Sequence, residues 1–147
     1  MQTFLPYPNF EKTARCLDWR RLGKQRCECY QILDTLQRIK SGDIYKNGKK
    51  IGWVNHPAVL MWRGYENALM RYYNTIIREW VLRGYRNTMN FFIVFPDEII
   101  YPPWLGNEEF HASHRANLLR KDYKYYKKFK WKESSDLPYV WPVKLNK

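Results

Sequence analysis

An all-α fold in a single domain, with about three main helices, an extended amino-terminal arm and an aromatic, basic carboxyl-terminal strap, is predicted by three observations. A chain of 147 residues and 18.1 kDa has room for one sizeable core, so residues 1–147 read as one domain. Apolar side chains recur at three- and four-residue spacings over three long stretches, the period of a helix with one buried face. Prolines other than Pro57 fall outside those stretches, at Pro6 and Pro8, at Pro96, Pro102 and Pro103, and at Pro138 and Pro142, where they keep the chain from coiling.

Residues 1–9 (MQTFLPYPN) form the predicted arm, leading to a helix that starts near Phe10 or Glu11. Leu22, Cys29, Ile32, Leu33 and Leu36 then mark one amphipathic helix running to about Ile39. Residues 41–54 (SGDIYKNGKKIGWV) read as a glycine-rich basic loop with a short hairpin at Asn47-Gly48. "NHPAVLMW" opens a second helix, with Pro57 at its first position and His56 or Asn55 near the cap. Val59, Trp62, Leu69, Tyr72 or Tyr73, Ile76, Trp80 and Val81 carry its apolar period to a stop at Arg83-Gly84, which makes it the predicted central core element. "FFIVF", residues 91–95, fits either a buried strand or a packed segment. A third helix is predicted from about Asn107 to Lys121, followed by the strap "DYKYYKKFKWKESSDLPYVWPVKLNK".

Lys plus Arg outnumber Asp plus Glu by 26 to 14, and the net charge of +12 with pI near 9.7 implies attraction to polyanions, nucleic acid before an anionic membrane. No stretch approaches the roughly 20 apolar residues of a spanning helix, and no basic-then-apolar signal segment opens the chain. The expectation is an intracellular, monomeric protein with no membrane partner. Cys16, Cys27 and Cys29 all fall in the predicted first helix and read as buried, reduced thiols. Aromatic residues make up 18% of the chain. Rings that stack on bases beside cations that hold phosphates suit unpaired or extruded bases, although any single ring is more often core.

Around the first helix, Asp18, Arg21, Gln25, Glu28 and Ile32 fall on one line at the border between core and solvent. Two readings stay open: a surface ladder of charge pairs, or a polar cluster facing a cleft in which Glu28 serves as acid or base. His111 and His114 share a helix face with Arg115 beside them. A phosphate or base-edge role for these three and Lys121 stands against that of satisfied structural histidines. No metal is expected, because a third ligand is missing and Cys27 and Cys29 point about 200° apart on their helix. Lys24, Arg26, Arg115, Arg120, Lys121, Lys124, Lys127 and Lys128 are the expected phosphate contacts, with Arg21 and His56 in the same nucleic-acid-binding set. Trp53 and Trp131, in basic irregular stretches, are the expected base-stacking rings.

The order "MQTFLPYPNFEKTARCLDWRRLGKQR…NHPAVLMWRGYENAL…REWVLRGY…PPWLG…FHASHRANLLRKD…PYVWP" resembles the bacterial and viral proteins grouped with pyrimidine-dimer DNA glycosylases of the phage endonuclease V type. The likeness covers nearly the whole chain and is specific for the branch carrying "RLGKQR", "NHPA" and "FHASHR". It implies an all-α domain with its amino-terminal arm inserted between the helices. It also implies a DNA N-glycosylase with abasic-site lyase activity, which flips out and excises a damaged or modified base without a cofactor. The resemblance assigns the attack on the sugar to a free amino-terminal amine and proton transfer to a glutamate on the first helix. Two positions depart from it. Gln2 is too large to follow methionine removal, so the amine is that of Met1. Gln25 stands where the glutamate is expected and stays a candidate catalytic residue with Met1 and Glu28: it can orient a sugar or base edge or hold a water, while Glu28, one turn along, supplies the carboxylate instead. The alternative is a non-catalytic binding module for damaged, modified or single-stranded nucleic acid.

Overall fold

The structure, a computed structural model, describes residues 1–143; the last four residues of the predicted strap, 144–147, lie outside the described residues. Among the described residues there are six α-helices: α1 (Phe10–Cys16), α2 (Trp19–Ser41), α3 (Pro57–Leu60), α4 (Glu66–Leu82), α5 (Glu108–Lys121) and α6 (Tyr123–Tyr126). A two-stranded antiparallel hairpin, β1 (Tyr45–Lys46) with β2 (Lys49–Lys50), is the one sheet. Its turn residues Asn47 and Gly48 both have positive φ, 54° and 77°, as a two-residue hairpin turn requires. No helix among the described residues is long and apolar enough to cross a membrane.

Both of the first two predicted helices are interrupted. The first breaks at Leu17 and Asp18, whose backbones are extended. Asp18 N–H donates to the Tyr126 hydroxyl at 3.0 Å, and that hydroxyl donates in turn to the Asp18 carboxylate. This tertiary lock outweighs the local tendency to continue the helix, and Asp18 becomes the N-cap of α2. Cys16 therefore lies on a different helix from Cys27 and Cys29, contrary to the sequence reading. Cys27 is exposed. Cys16 and Cys29 are buried, and burial pushes the Cys16 thiol up to about 12. The second predicted helix breaks after α3 at Gly64, where φ is +88°. Pro57 opens α3 at the predicted position, and His56 caps it, its Nδ1 accepting from Ala58 N–H at 3.0 Å.

α2 packs along α4, burying Leu22, Cys29, Ile32, Leu33 and Leu36 against Leu69, Tyr72, Tyr73, Ile76 and Ile77. Trp80 is half-buried and Val81 exposed, so the apolar stripe of α4 fades before its end. "FFIVF" is not a strand. Phe92 alone is pinned, its N–H donating to Asn74 Oδ1 at 2.9 Å and its carbonyl accepting from Asn74 Nδ2 at 2.8 Å, while Phe91, Ile93 and Phe95 face outward. α5 is capped by Asn107, which accepts from Phe110 N–H, and its residues Ser113 to Leu119 are all buried.

Residues 3–6 are buried without belonging to any helix or strand, so their backbone groups need side-chain partners. Phe4 N–H donates to Gln25 Oε1 at 3.0 Å, and the Tyr72 hydroxyl lies 2.6 Å from Phe4 O and 2.8 Å from Gln25 Oε1. Gln25 Nε2 donates to Gln2 O at 2.9 Å and to Glu28 Oε2 at 3.1 Å. Trp62 Nε1 donates to the Thr3 hydroxyl at 3.1 Å. From α5, His114 Nδ1 accepts from Leu5 N–H at 2.8 Å, and Arg115 donates to Pro6 O at 2.8 Å. His111 Nε2 accepts from Gly106 N–H at 2.9 Å, so a neutral His111 carries its proton on Nδ1 and donates it to Leu5 O at 2.7 Å. The structure thus corrects the sequence reading of these three α5 residues. His111, His114 and Arg115 are buried supports of the amino-terminal segment, with no free face for a phosphate.

Two outcomes are expected. Burial lowers the pKa of His111 and, further, of His114, whose ring would have to be charged beside Arg115 and His111. The folded state then binds fewer protons than the unfolded chain once pH falls below about 6.5, and stability drops by up to about 1.4 kcal/mol per pH unit for each histidine. Denaturant titrations at descending pH should show full stability above that value and a progressive loss below it, with a shallower slope in His114→Asn. Gln25→Glu removes both donors that meet Gln2 O and Glu28 and adds a second carboxylate beside the first. It should cost roughly 1–3 kcal/mol or more, read as a fall of several degrees in Tm.

Candidate active site

The first turns of α2 hold one wall of a cleft of about 710 Å³, made by Trp19, Arg20, Arg21, Lys24 and Glu28. Met1, Gln2 and Phe4 form the other wall, and Lys121 closes one side from the end of α5. The residues from α2 meet here because positions 21, 24 and 28 recur at three and four residues along one face. Four cations and the Met1 amine surround one carboxylate, so the cleft attracts an anion while keeping a single acid-base group.

Glu28 is fixed at the floor by Gln25 Nε2 and, at 3.4 Å, by Gln2 N–H, both reaching Oε2. Gln25 itself is fully buried, with both donors and both acceptor positions of its amide in use. It therefore faces the amino-terminal segment rather than the cleft. Only an amide fits: a carboxylate could accept from Phe4 and Tyr72 but could donate to neither Gln2 O nor Glu28. Asp18 is withdrawn from the cleft by Tyr126 and by Arg21, whose guanidinium sits 3.3 Å from it.

His56 lies close enough to the Met1 amine for that charge to add to burial in lowering its pKa. Its capping role leaves Nε2 to carry the proton of the neutral ring. Trp53 and Trp141 flank it edge-on, at 5.7 Å and 5.9 Å between ring centroids, and Trp53 is largely exposed. Behind Glu28 stands Tyr139, its hydroxyl buried without a partner among the described residues and its pKa raised by burial and by the Glu28 charge. Its ring packs on His114 and Trp141, each at 4.6 Å.

Of the sequence-predicted site residues, Met1, Arg21, Lys24, Glu28 and Lys121 come together at the cleft, with His56 near the amine. Arg26 does not: it stacks over Trp80 at 4.2 Å and donates to Asn87 at 2.8 Å. Arg115 is held by Glu108 and, at 2.8 Å, by Glu133, so its charge is neutralised. Trp131 packs near-parallel against both Tyr126 and Phe129 and donates to the Tyr7 hydroxyl at 2.9 Å, which leaves it structural. The residue that sequence reasoning missed is Trp19, 54% exposed at the mouth of the cleft with Arg20 against its ring. Its signal was "DWRR", a helix-starting aspartate followed by a ring among arginines. It was hidden by the assumption that the helix ran unbroken through Asp18. Tyr139, more than a hundred residues from Glu28 in sequence, left no such signal. Among the described residues no group of three or more His, Cys, Asp or Glu is placed to hold a metal ion.

A family model described as pyrimidine dimer DNA glycosylase matches residues 1–93, which include Met1, Gln25, Glu28, His56 and the α2 wall of the cleft. Searches of curated proteins and of solved structures return no significant match. The matched segment is 93 of 147 residues and holds all of the cleft except Lys121, so the chain belongs to the pyrimidine dimer DNA glycosylase family.

Proposed function

We propose that the chain is a DNA glycosylase with abasic-site lyase activity that excises a damaged pyrimidine from a flipped nucleotide, using the Met1 amine as nucleophile and Glu28 for proton transfer. The observation that carries this reading is the delivery of the Met1 end of the chain, by a buried segment held through side-chain hydrogen bonds, into a cationic cleft beside one held carboxylate. Family membership supports the substrate class.

The chemistry balances with these groups alone. The unprotonated amine attacks the sugar C1′, and the C1′–N bond breaks with its electron pair leaving on the base, which takes up a proton from water. Glu28 removes a proton from the attached nitrogen and passes it to the ring oxygen as the sugar opens, leaving a protonated Schiff base. The same carboxylate then takes the C2′ proton, the C3′–O bond breaks, and the phosphate departs. Water hydrolyses the Schiff base and restores the amine. Gln25 is a positioning residue in this scheme: its one amide nitrogen holds both Gln2 O and Glu28 Oε2 and so sets the distance between nucleophile and base. Arg20, Arg21, Lys24 and Lys121 take the phosphates, and Trp19 stacks on an exposed base.

Glu28→Gln should lower Schiff-base formation and strand cleavage by about 10²-fold or more with DNA affinity retained, since it removes the group that transfers protons at the attached nitrogen and at C2′ and keeps the shape. Borohydride added during turnover on ultraviolet-irradiated duplex should trap a covalent adduct at Met1, and one extra residue before Met1 should abolish trapping. Base release without trapping would replace the amine by water as nucleophile. No base loss from any damaged or modified duplex would leave a binding module. For binding, four phosphate contacts imply a roughly 10²-fold loss of affinity between 50 and 200 mM salt. Trp19→Ala should weaken affinity for damaged duplex about tenfold, the low end of a lost stacking contact, while leaving the salt slope unchanged; a flat salt dependence or an unaffected variant would remove the cleft from the DNA contact.

A further inference from the structure

Toward the carboxyl-terminal end of α2, away from the Met1 cleft, a second groove of about 590 Å³ runs between α2, α4 and the segment 92–100. Its floor is apolar: Leu33 and Leu36 are buried there, with Met70 and Phe92 packed against the core beside them. Ile100, 67% exposed, stands at the edge. The wall opposite α2 is held in place by side chains of α4, Asn74 gripping Phe92 and Asn67 Nδ2 donating to Glu98 O at 3.1 Å.

The charge of this groove is opposite to that of the rest of the molecule. In a chain of net charge +12, its lining has three carboxylates, Asp34, Glu66 and Glu98, against one lysine, Lys40. Asp34 shares Arg38, whereas neither Glu66 nor Glu98 enters an ion pair among the described residues. A phosphate backbone would meet these carboxylates and is excluded. A simple cation would leave the apolar floor wet. The α2 wall from Tyr30 to Lys40 rises about 15 Å, the length of three helical turns.

We infer that this groove docks a basic amphipathic helix of a partner protein, its apolar face on Leu33, Leu36, Met70 and Phe92 and its Lys or Arg side chains on Asp34, Glu66 and Glu98. Because the groove and the cationic cleft lie at different ends of α2 and prefer opposite charges, the partner binds while DNA occupies the cleft. The site is therefore a means of bringing the enzyme to a protein or of bringing a protein to DNA.

The full chain, labelled with 15N, is titrated with a synthetic leucine–lysine amphipathic peptide of about 14 residues, four helical turns. A leucine–glutamate peptide of the same pattern and spermidine serve as comparisons. The expected result is amide shift changes confined to residues 30–40, 64–70 and 92–100 with the lysine peptide alone, weakening as salt rises. The double variant Glu66→Lys, Glu98→Lys should bind the peptide at least about tenfold more weakly with DNA affinity kept, its Tm lowered by the loss of the Glu66 bond to Gly64 N–H at the start of α4. If that variant does not fold, the salt titration of the parent chain gives the same readout. Absence of shifts in the groove, or equal binding of the glutamate peptide, overturns the proposal. Spermidine reproducing the shifts at equal affinity overturns it in favour of a small-cation site. Concentration-dependent self-association that the double variant abolishes overturns it in favour of a second copy of the chain.

Discussion

The Gln25 side chain joins the fold to the chemistry. A buried stretch of backbone that is neither helix nor strand is stable only if other groups meet its N–H and C=O positions, because each one left unpaired costs about 1–3 kcal/mol. Gln25 meets Gln2 O and Phe4 N–H with one amide, Tyr72 meets Phe4 O, His114 and His111 meet Leu5 N–H and Leu5 O, and Arg115 meets Pro6 O, while Trp62 holds the Thr3 hydroxyl. With these in place the Met1 end has one path into the cleft. The same amide touches Glu28, so the location of the Met1 end and the orientation of that carboxylate are set together. This accounts for a glutamine at a position where the family resemblance leads one to expect a glutamate. The position secures the amino-terminal segment, and the carboxylate stands one turn further on.

The distribution of cations follows from the same economy. A +12 chain has more positive charge than a binding surface needs, and several of its arginines are taken up internally. Arg115 sits between Glu108 and Glu133, Arg71 pairs with Glu11 at 2.6 Å, and Arg83 pairs with Glu79 while donating to two carbonyls of α1. Arg26 stacks on Trp80. Lys24, Lys121 and Arg20, exposed at the cleft, remain to meet an anion, while Arg21 beside them is shared with Asp18. The planar guanidinium is used inside, where it can pair with a carboxylate, reach carbonyls or stack on a ring, and exposed lysines carry much of the charge that stays in water.

The aromatic residues divide in a similar way. Trp62 stacks with Tyr72 and meets Trp104 edge-on, and Tyr126, Phe129 and Trp131 form a second stack beneath residues 1–9. These rings build the support behind the amino-terminal segment. Trp19 and Trp53 are the tryptophans left largely in solvent, and both lie around the Met1 end. Composition could indicate that rings and cations together suit nucleotides; which rings face outward depends on where the helices break.

The helical character, the hairpin at Asn47-Gly48, the start at Pro57, the end at Arg83-Gly84 and the extent of α5 were determined by the sequence alone. Each rests on interactions between residues a few positions apart: apolar period, cap, turn glycine, proline geometry. The line through Arg21, Gln25 and Glu28 was legible for the same reason, since helical spacing puts them on one face. Only the tertiary structure decided which way that face looks. Tyr126 breaks the first helix at Asp18, and segments more than a hundred residues away bury His114 and Arg115 against Leu5 and Pro6. Those contacts join parts of the chain that share no local pattern. They turned two histidines and an arginine from candidate ligands of DNA into supports for the strand of backbone that carries Met1, because a buried backbone must find its partners wherever the fold brings them.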